Sequence, residues 1–253
     1  MFNESQTKIS FITNNINEFG RYFGLCKLEQ NVSNLQSLDA LIRGEIENKI
    51  NKVDFFKTKQ WDSVLNISGL YRTLLYALVA ATKPRVVVET GVLHGLTSLF
   101  MLQAIKDNDF RGELISIDLP STFEGGPANK DGYFDTLPPD KCPGWLIPER
   151  LEKNWILKLG ASVDVLPSLF NAQREIELFV HDSEHTHETM SFEFHSAWEV
   201  LLSGGFLVAD NIEANTSFFD FCRKVDRVPY VLPADPDHLG LQEAGIRVGV
   251  IRK

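Results

Sequence analysis

Between residues 86 and 252 the hydrophobic positions alternate between short continuous runs and helical stripes. Val86, Val87 and Val88 form an unbroken β-branched run, the pattern of a strand buried on both faces. Glu89 ends that run, Gly91 and Gly95 punctuate a tight loop, and Leu96, Leu99 and Phe100 open an amphipathic helix. Further strands are expected at Leu114–Ile117, Trp155–Gly160, Ile176–Val180 and Phe206–Ala209. A helix is expected over Val163–Phe170, and another carries Met190, Phe194, Ala197, Trp198 and Leu201 on one face before Ser203-Gly204-Gly205 ends it. Val228–Leu232 and Ile246–Ile251 read as two last strands joined as a hairpin, with Ile246, Val248 and Val250 alternating. Strand and helix in turn predict an α/β protein with a doubly wound, mostly parallel sheet of seven strands.

The chain before residue 60 has a different texture. Leu38, Leu41, Ile42, Ile46 and Ile50 recur at helical spacing, and Phe11, Ile12, Ile16, Phe19 and Phe23 suggest one or two earlier helices. Residues 1–60 are therefore expected to form a helical cap or extension on a main domain of 61–253. It is a lid, a dimerisation surface or plain packing. Leu70, Leu74, Leu78 and Ala81 mark a helix closed by Pro84, and Asn66–Tyr71 is expected to border the ligand pocket. Residues 121–148 are rich in Pro and Gly, with Phe123, Tyr133, Phe134 and Trp145 interleaved. A stretch of that length reads as a lid-like insertion over an acceptor site, or as a surface excursion anchored by its aromatics.

Composition narrows the function classes. The 253 residues carry a formal net charge of -9, and no Lys/Arg run offers a local patch, so no nucleic-acid partner is expected. No apolar run approaches the roughly 20 residues of a membrane span, and Met1–Ser10 lacks a signal pattern. The odd set Cys26, Cys142 and Cys222 has no metal-ligand spacing and suits free thiols. A cytoplasmic protein is expected, with a homodimer as the base-rate assembly.

A strand, a glycine loop and a helix start are how an open α/β sheet holds a nucleotide-like ligand. Here the loop reads Glu-x-Gly-x-x-x-Gly (Glu89, Gly91, Gly95), not the G-x-G-x-x-G of dinucleotide sites. Asp118, after the second strand, stands where such sheets place a carboxylate for ribose hydroxyls; the alternative is a cap on the turn before Pro120. The acid-plus-glycine pattern resembles the first motif of class I S-adenosylmethionine (SAM) methyltransferases. The resemblance implies a Rossmann-like methyltransferase fold whose last strand is antiparallel, with SAM as cofactor. Glu89 suits the cationic end of SAM, and Ser162 or its backbone takes the adenine contact that an acid makes elsewhere in the class. The implied cofactor set is Glu89, Gly91, Gly95, Ser98, Asp118, Ser162 and Asp182.

Asp182 follows the fourth strand, and Asp210-Asn211 follows the fifth. Both strand ends face one crevice, and their oxygens suit a hard ion such as Mg²⁺. This resembles the metal-dependent O-methyltransferases of the catechol and caffeoyl type, with Asp182, Asp210 and Asn211 as ligands. A wider resemblance, to bacterial SAM methyltransferases of sugars, glycans and macrolide-type products, rests on several ordered segments. These are Leu70-Tyr71, Val87–Gly91, Gly144–Pro148, Val180–Thr186 and Gly204–Asn211. Metal use varies in that family, so Mg²⁺-assisted and metal-free reactions both stay open. The expected activity is O-methylation of a small hydroxylated acceptor, with His185 first and Asp182 second as general base. Two alternatives are a hydroxylase-like metal enzyme built on the His181–His187 cluster and a non-catalytic SAM-binding module.

Overall fold

The computed structural model describes residues 4–25, 28, 35–53, 69–109, 111–120, 137–138, 140–173, 175–233 and 247–253. Its helices are α1 (Glu4–Phe23), α2 (Leu35–Ile50), α3 (Leu70–Thr82), α4 (Leu96–Asp107), α5 (Glu149–Glu152), α6 (Ser162–Ala172), α7 (His187–Val200) and α8 (Ser217–Lys224). Its strands are β1 (Val86–Thr90), β2 (Glu113–Asp118), β3 (Trp155–Leu159), β4 (Ile176–His181), β5 (Leu201–Ala209), β6 (Tyr230–Val231) and β7 (Gly249–Arg252). They form one sheet in the order β3-β2-β1-β4-β5-β7-β6. The first five are parallel, and β7 runs antiparallel between β5 and β6. The chain winds outward from β1 to β3, then returns to β4 on the other side of β1. That reversal opens a crevice at the carboxyl ends of β1 and β4, where Thr90 pairs with His181.

Alternation along each strand divides the core in two. Val87, Leu114, Leu178, Val180, Phe206 and Val208 pack with α1 to α4 on one face. Val86, Val88, Ile115, Ile117, Phe179 and Leu207 pack with α6 to α8 on the other. The N-terminal helices therefore belong to the sheet's own core. Ile12, Ile16 and Phe19 of α1 and Leu38, Ile42, Ile46 and Ile50 of α2 are buried there. Phe19 meets Tyr230 edge-on with ring centroids 5.4 Å apart. Leu41 departs from expectation and is 45% exposed. The buried stripe of α2 advances by four residues from Leu38, and Leu41 lies one residue, about 100°, off it. Arg150 and Glu45 form a two-pronged ion pair at 2.7 and 2.6 Å, and Lys49 Nζ donates to the carbonyls of Trp145 and Ile147. The apolar stripe of the extension is thus used within the chain.

Three boundaries move. Ser203-Gly204-Gly205 does not end a helix: α7 stops at Val200, and β5 already begins at Leu201. The segment Leu202–Gly205 forms an irregularity between the Ile176–Leu201 and Leu178–Phe206 pairings, with Gly204 at φ +87°. Glycine ends a helix or kinks a strand by the same freedom, so local sequence does not separate the two. The last strands pair antiparallel as expected, but β6 covers only Tyr230–Val231, leaving Val228 77% exposed, and Ile246 lies outside the described residues. Of the expected lid, Phe123, Tyr133 and Phe134 lie outside the described residues. Its far end is anchored: the N–H of Gly144 donates to Leu93 and that of Leu146 to His94. No helix among the described residues is long and apolar enough to cross a membrane.

Candidate active site

The β1 end of the crevice is built around two carboxylates. Glu89 is fully buried inside β1, and its Oε2 accepts from Ser98 Oγ at 2.6 Å and Ser116 Oγ at 2.7 Å. Ser116 in turn accepts from Trp155 Nε1 at 2.9 Å. Burial pushes the Glu89 carboxyl up to about 7, against the two hydroxyl bonds, which hold it down. Asp118 Oδ2 accepts from the N–H groups of Val92 and Leu93 at 3.0 and 2.7 Å, and its Oδ1 from that of Leu119 at 2.7 Å. The carboxylate expected at the ribose therefore also shapes the glycine loop. Burial raises its pKa, and the three backbone bonds lower it.

The loop glycines have steric reasons. At Gly91, with φ +83°, a Cβ would lie 1.7 Å from the carbonyl oxygen of Asp182. At Gly95, with φ +86°, it would lie 2.7 Å from Gly144 Cα. Both glycines accept a left-handed backbone, but the space they leave is filled by this chain and not held open for a ligand.

The β4 and β5 ends bring together residues far apart in sequence. Asp182, His185 and Asp210 each offer a ligand atom, all within 4.8 Å of one another. The N–H of Asp210 donates to the carbonyl of His181 at 3.0 Å, which ties the two strand ends. Burial, and then the charges of Asp210 and Glu89, hold Asp182 well above the carboxylate range. A side-chain hydrogen bond ties it to Asp210, which burial pushes up to about 6. Asp210 Oδ1 and Asn211 Oδ1 are buried with no hydrogen-bond partner among the described residues. Tyr71 reaches the same place from α3. Its hydroxyl is buried with no such partner, and burial, reinforced by Asp182, Asp210 and Glu89, drives its pKa upward.

Residues 88–212 match a family model described as a methyltransferase domain. Over those residues, just under half of the chain, it is similar to a methyltransferase domain. No curated protein matches the chain. Among solved structures, an O-methyltransferase from Bacillus cereus in complex with SAH is similar at 14% identity and TM-score 0.50, over 77% of this chain and 88% of its own. The O-methyltransferase TomG from Streptomyces achromogenes, involved in tomaymycin synthesis and in complex with SAM, is similar at 14% identity and TM-score 0.50, over 72% of this chain and 79% of its own. Both share the fold.

Within the crevice the expected residues fall into three groups. Asp182, His185 and Asp210 converge, with Asn211 beside Asp210. Glu89 and the glycine loop face them across the β1–β4 junction. Ser98 is spent on Glu89, and Ser162 contributes a hydrogen bond to Glu193. The histidine cluster does not converge as a metal site. His181 is taken by Glu193, His187 lies 3.7 Å from exposed Asp220, and His195 bonds the Ser191 carbonyl. Only His185 joins the acids among the described residues.

Glu193 was missed at the sequence level. It is fully buried on α7 and accepts from Thr90 Oγ1 at 2.6 Å and from Ser183 Oγ at 2.7 Å, with His181 Nδ1 at 2.6 Å. Burial would raise its pKa, but the His181 charge and the hydrogen bonds outweigh that and keep it below the usual range. One signal was available: Glu193 falls three residues after Met190 and next to Phe194, on the apolar stripe of its helix. Arg72 and His94 were missed too. Burial, reinforced by Arg72, pushes the His94 imidazole down to about 4, and its Nδ1 accepts from Trp145 Nε1 at 2.9 Å.

Proposed function

We propose that this domain transfers the methyl group of SAM to a hydroxyl of a small hydroxylated acceptor, sugar-like or natural-product-like. The observation that carries this reading is the convergence of Asp182, His185 and Asp210 within 4.8 Å at the strand ends facing Glu89. The Glu89 Oε1 atom supports the placement of the donor. It is buried without a partner among the described residues, while Oε2 holds two hydroxyls. An ammonium donor fits that vacant acceptor, and a cation there favours the charged carboxylate. Asp118 and the loop N–H groups it orders would flank the nucleoside.

The donor set at the other end fits a hard divalent ion. Asp182, Asp210 and Asn211 supply oxygens, two of them buried without partners among the described residues, and His185 stands beside them. Mg²⁺ held there would lower the pKa of an acceptor hydroxyl by its charge. The reaction breaks the sulfonium C–S bond as the acceptor oxygen forms its bond to the methyl, and the hydroxyl proton leaves to a base. Asp182 is engaged with Asp210 and held well above the carboxylate range by burial, so His185 is the first candidate base. Positioning supplies most of the acceleration, up to roughly 7–11 kcal/mol in well-oriented systems.

Release of S-adenosylhomocysteine from SAM, measured over a panel of hydroxylated acceptors, tests the reading. The expected outcome is turnover on at least one acceptor, quenched by chelator and restored by Mg²⁺. Turnover insensitive to chelator but lost in His185→Gln supports the metal-free form. SAM binding without turnover on any acceptor rejects the proposal.

A further inference from the structure

Glu193 is fully buried and bonds the two chain neighbours of Asp182. Its two oxygens are shared by four partners: Ser162, and three that surround Asp182. Oε2 takes Thr90 Oγ1 and His181 Nδ1, both at 2.6 Å, and Oε1 takes Ser183 Oγ at 2.7 Å. His181 and Ser183 are the chain neighbours of Asp182 on its two sides. Thr90 is the β1 residue whose carbonyl accepts the N–H of Asp182 at 2.8 Å. The carbonyl of His181 accepts the N–H of Asp210 at 3.0 Å. One buried carboxylate therefore holds both flanks of Asp182, the strand end that receives its amide, and the residue that fixes Asp210.

We propose that Glu193 is a positioning residue for methyl transfer, a clamp that gathers Thr90, His181 and Ser183 and so sets where Asp182 and Asp210 point. This deepens the function proposed above and rests on it. The argument is geometric. The turn after β4 has no helix or strand ladder of its own at Asp182, so its orientation depends on what its neighbours bind. A buried polar network has few alternative arrangements, and Glu193, Thr90 and His181 are fully buried, with Met190, Phe194 and Ala197 buried on the same helix as Glu193. Misplacing a reacting group by about 1 Å costs on the order of 100-fold in rate, so a clamp of this kind acts on turnover more than on binding. The cationic end of the donor side is built from Glu89, Ser98 and Ser116, with which Glu193 shares no hydrogen bond; Ser162 is its one link to the expected cofactor residues.

Two variants of the full chain test the clamp. Ser183→Ala removes one arm at a partly exposed position and is the safe variant for folding; Glu193→Gln removes the charge at constant volume. Ser183→Ala is expected to lower kcat about tenfold, and Glu193→Gln roughly 100-fold, with KM for the acceptor and Kd for SAM within about threefold of wild type. Ser183→Thr, which returns the hydroxyl, is expected to restore turnover. Amide hydrogen exchange supplies a readout independent of activity: the N–H groups of Asp182 and Asp210 should lose protection in both alanine and glutamine variants, while those of Val87 and Val88 keep theirs. Parallel loss of SAM affinity and turnover, or lost protection with unchanged kcat, overturns the positioning role. If Glu193→Gln fails to fold, Ser183→Ala and its threonine rescue decide alone. Failure of wild type to methylate any acceptor would instead strike the proposed function, and the exchange data would still show whether the clamp exists.

Discussion

The two ends of the crevice treat their carboxylates in opposite ways. At the β1 and β2 ends, Glu89 and Asp118 accept two hydroxyl and three backbone bonds between them. At the β4 and β5 ends, Asp182 and Asp210 have chiefly each other, and Asp210 Oδ1 and Asn211 Oδ1 are buried without partners among the described residues. An unsatisfied buried polar group costs about 1–3 kcal/mol, and native structures keep few of them. The satisfied end is a scaffold with one acceptor left over, Glu89 Oε1. The unsatisfied end is held in a state that a cation or an acceptor hydroxyl would relieve. Under the proposed function, the contrast would put the cofactor's fixed end at Glu89 and the reacting atoms at Asp182, His185 and Asp210.

Substitution at the unsatisfied end should give the largest effect. Asp182→Asn is expected to lower methyl transfer by about 10²–10⁴, the range for groups that move or hold protons, with SAM affinity little changed. Kinetics beside a calorimetric titration of SAM check it, and equal loss of both would erase the division between the ends. Gly91→Ala acts where the ends touch. Its new Cβ would sit 1.7 Å from the Asp182 carbonyl at a left-handed backbone, so destabilisation of roughly 3 kcal/mol or more is expected in denaturant unfolding.

Asp118→Ala sharpens the scaffold side. It strips the acceptor from the N–H groups of Val92, Leu93 and Leu119, so a stability loss of about 2 kcal/mol should accompany weaker SAM binding. Weaker binding at unchanged stability would return Asp118 to a purely ribose-binding role.

The smallest effect is in pH. Glu89 has a folded-state pKa near 7 against an ordinary 4.5. The folded protein therefore holds this proton more tightly than the unfolded chain. Its contribution to stability is complete below about 4.5 and is lost as pH rises through about 7. A cationic ligand needs the ionised form, so SAM affinity should rise about tenfold between pH 6 and pH 8, with protons released on binding. Glu89→Gln should remove that dependence; a flat profile in wild type would move the cationic end of SAM elsewhere.

Local pattern was enough for the strands, the crossover helices, the glycine loop and the acids at the strand ends. Each is a property of a dozen residues or fewer, written in period 2 or period 3.6 and in turn chemistry. What local pattern does not contain is the partner of a buried polar group. Thr90 meets Glu193 across 103 positions and Ser116 meets Glu89 across 27, because strand order and crossover packing bring them together. For the same reason only the fold shows that Asp118 serves the loop, that His185 joins Asp182 and Asp210 while its neighbouring histidines do not, and that α1 and α2 belong to the sheet's own core. Burial makes these choices binding: a carboxylate removed from water must find donors wherever the topology has put them.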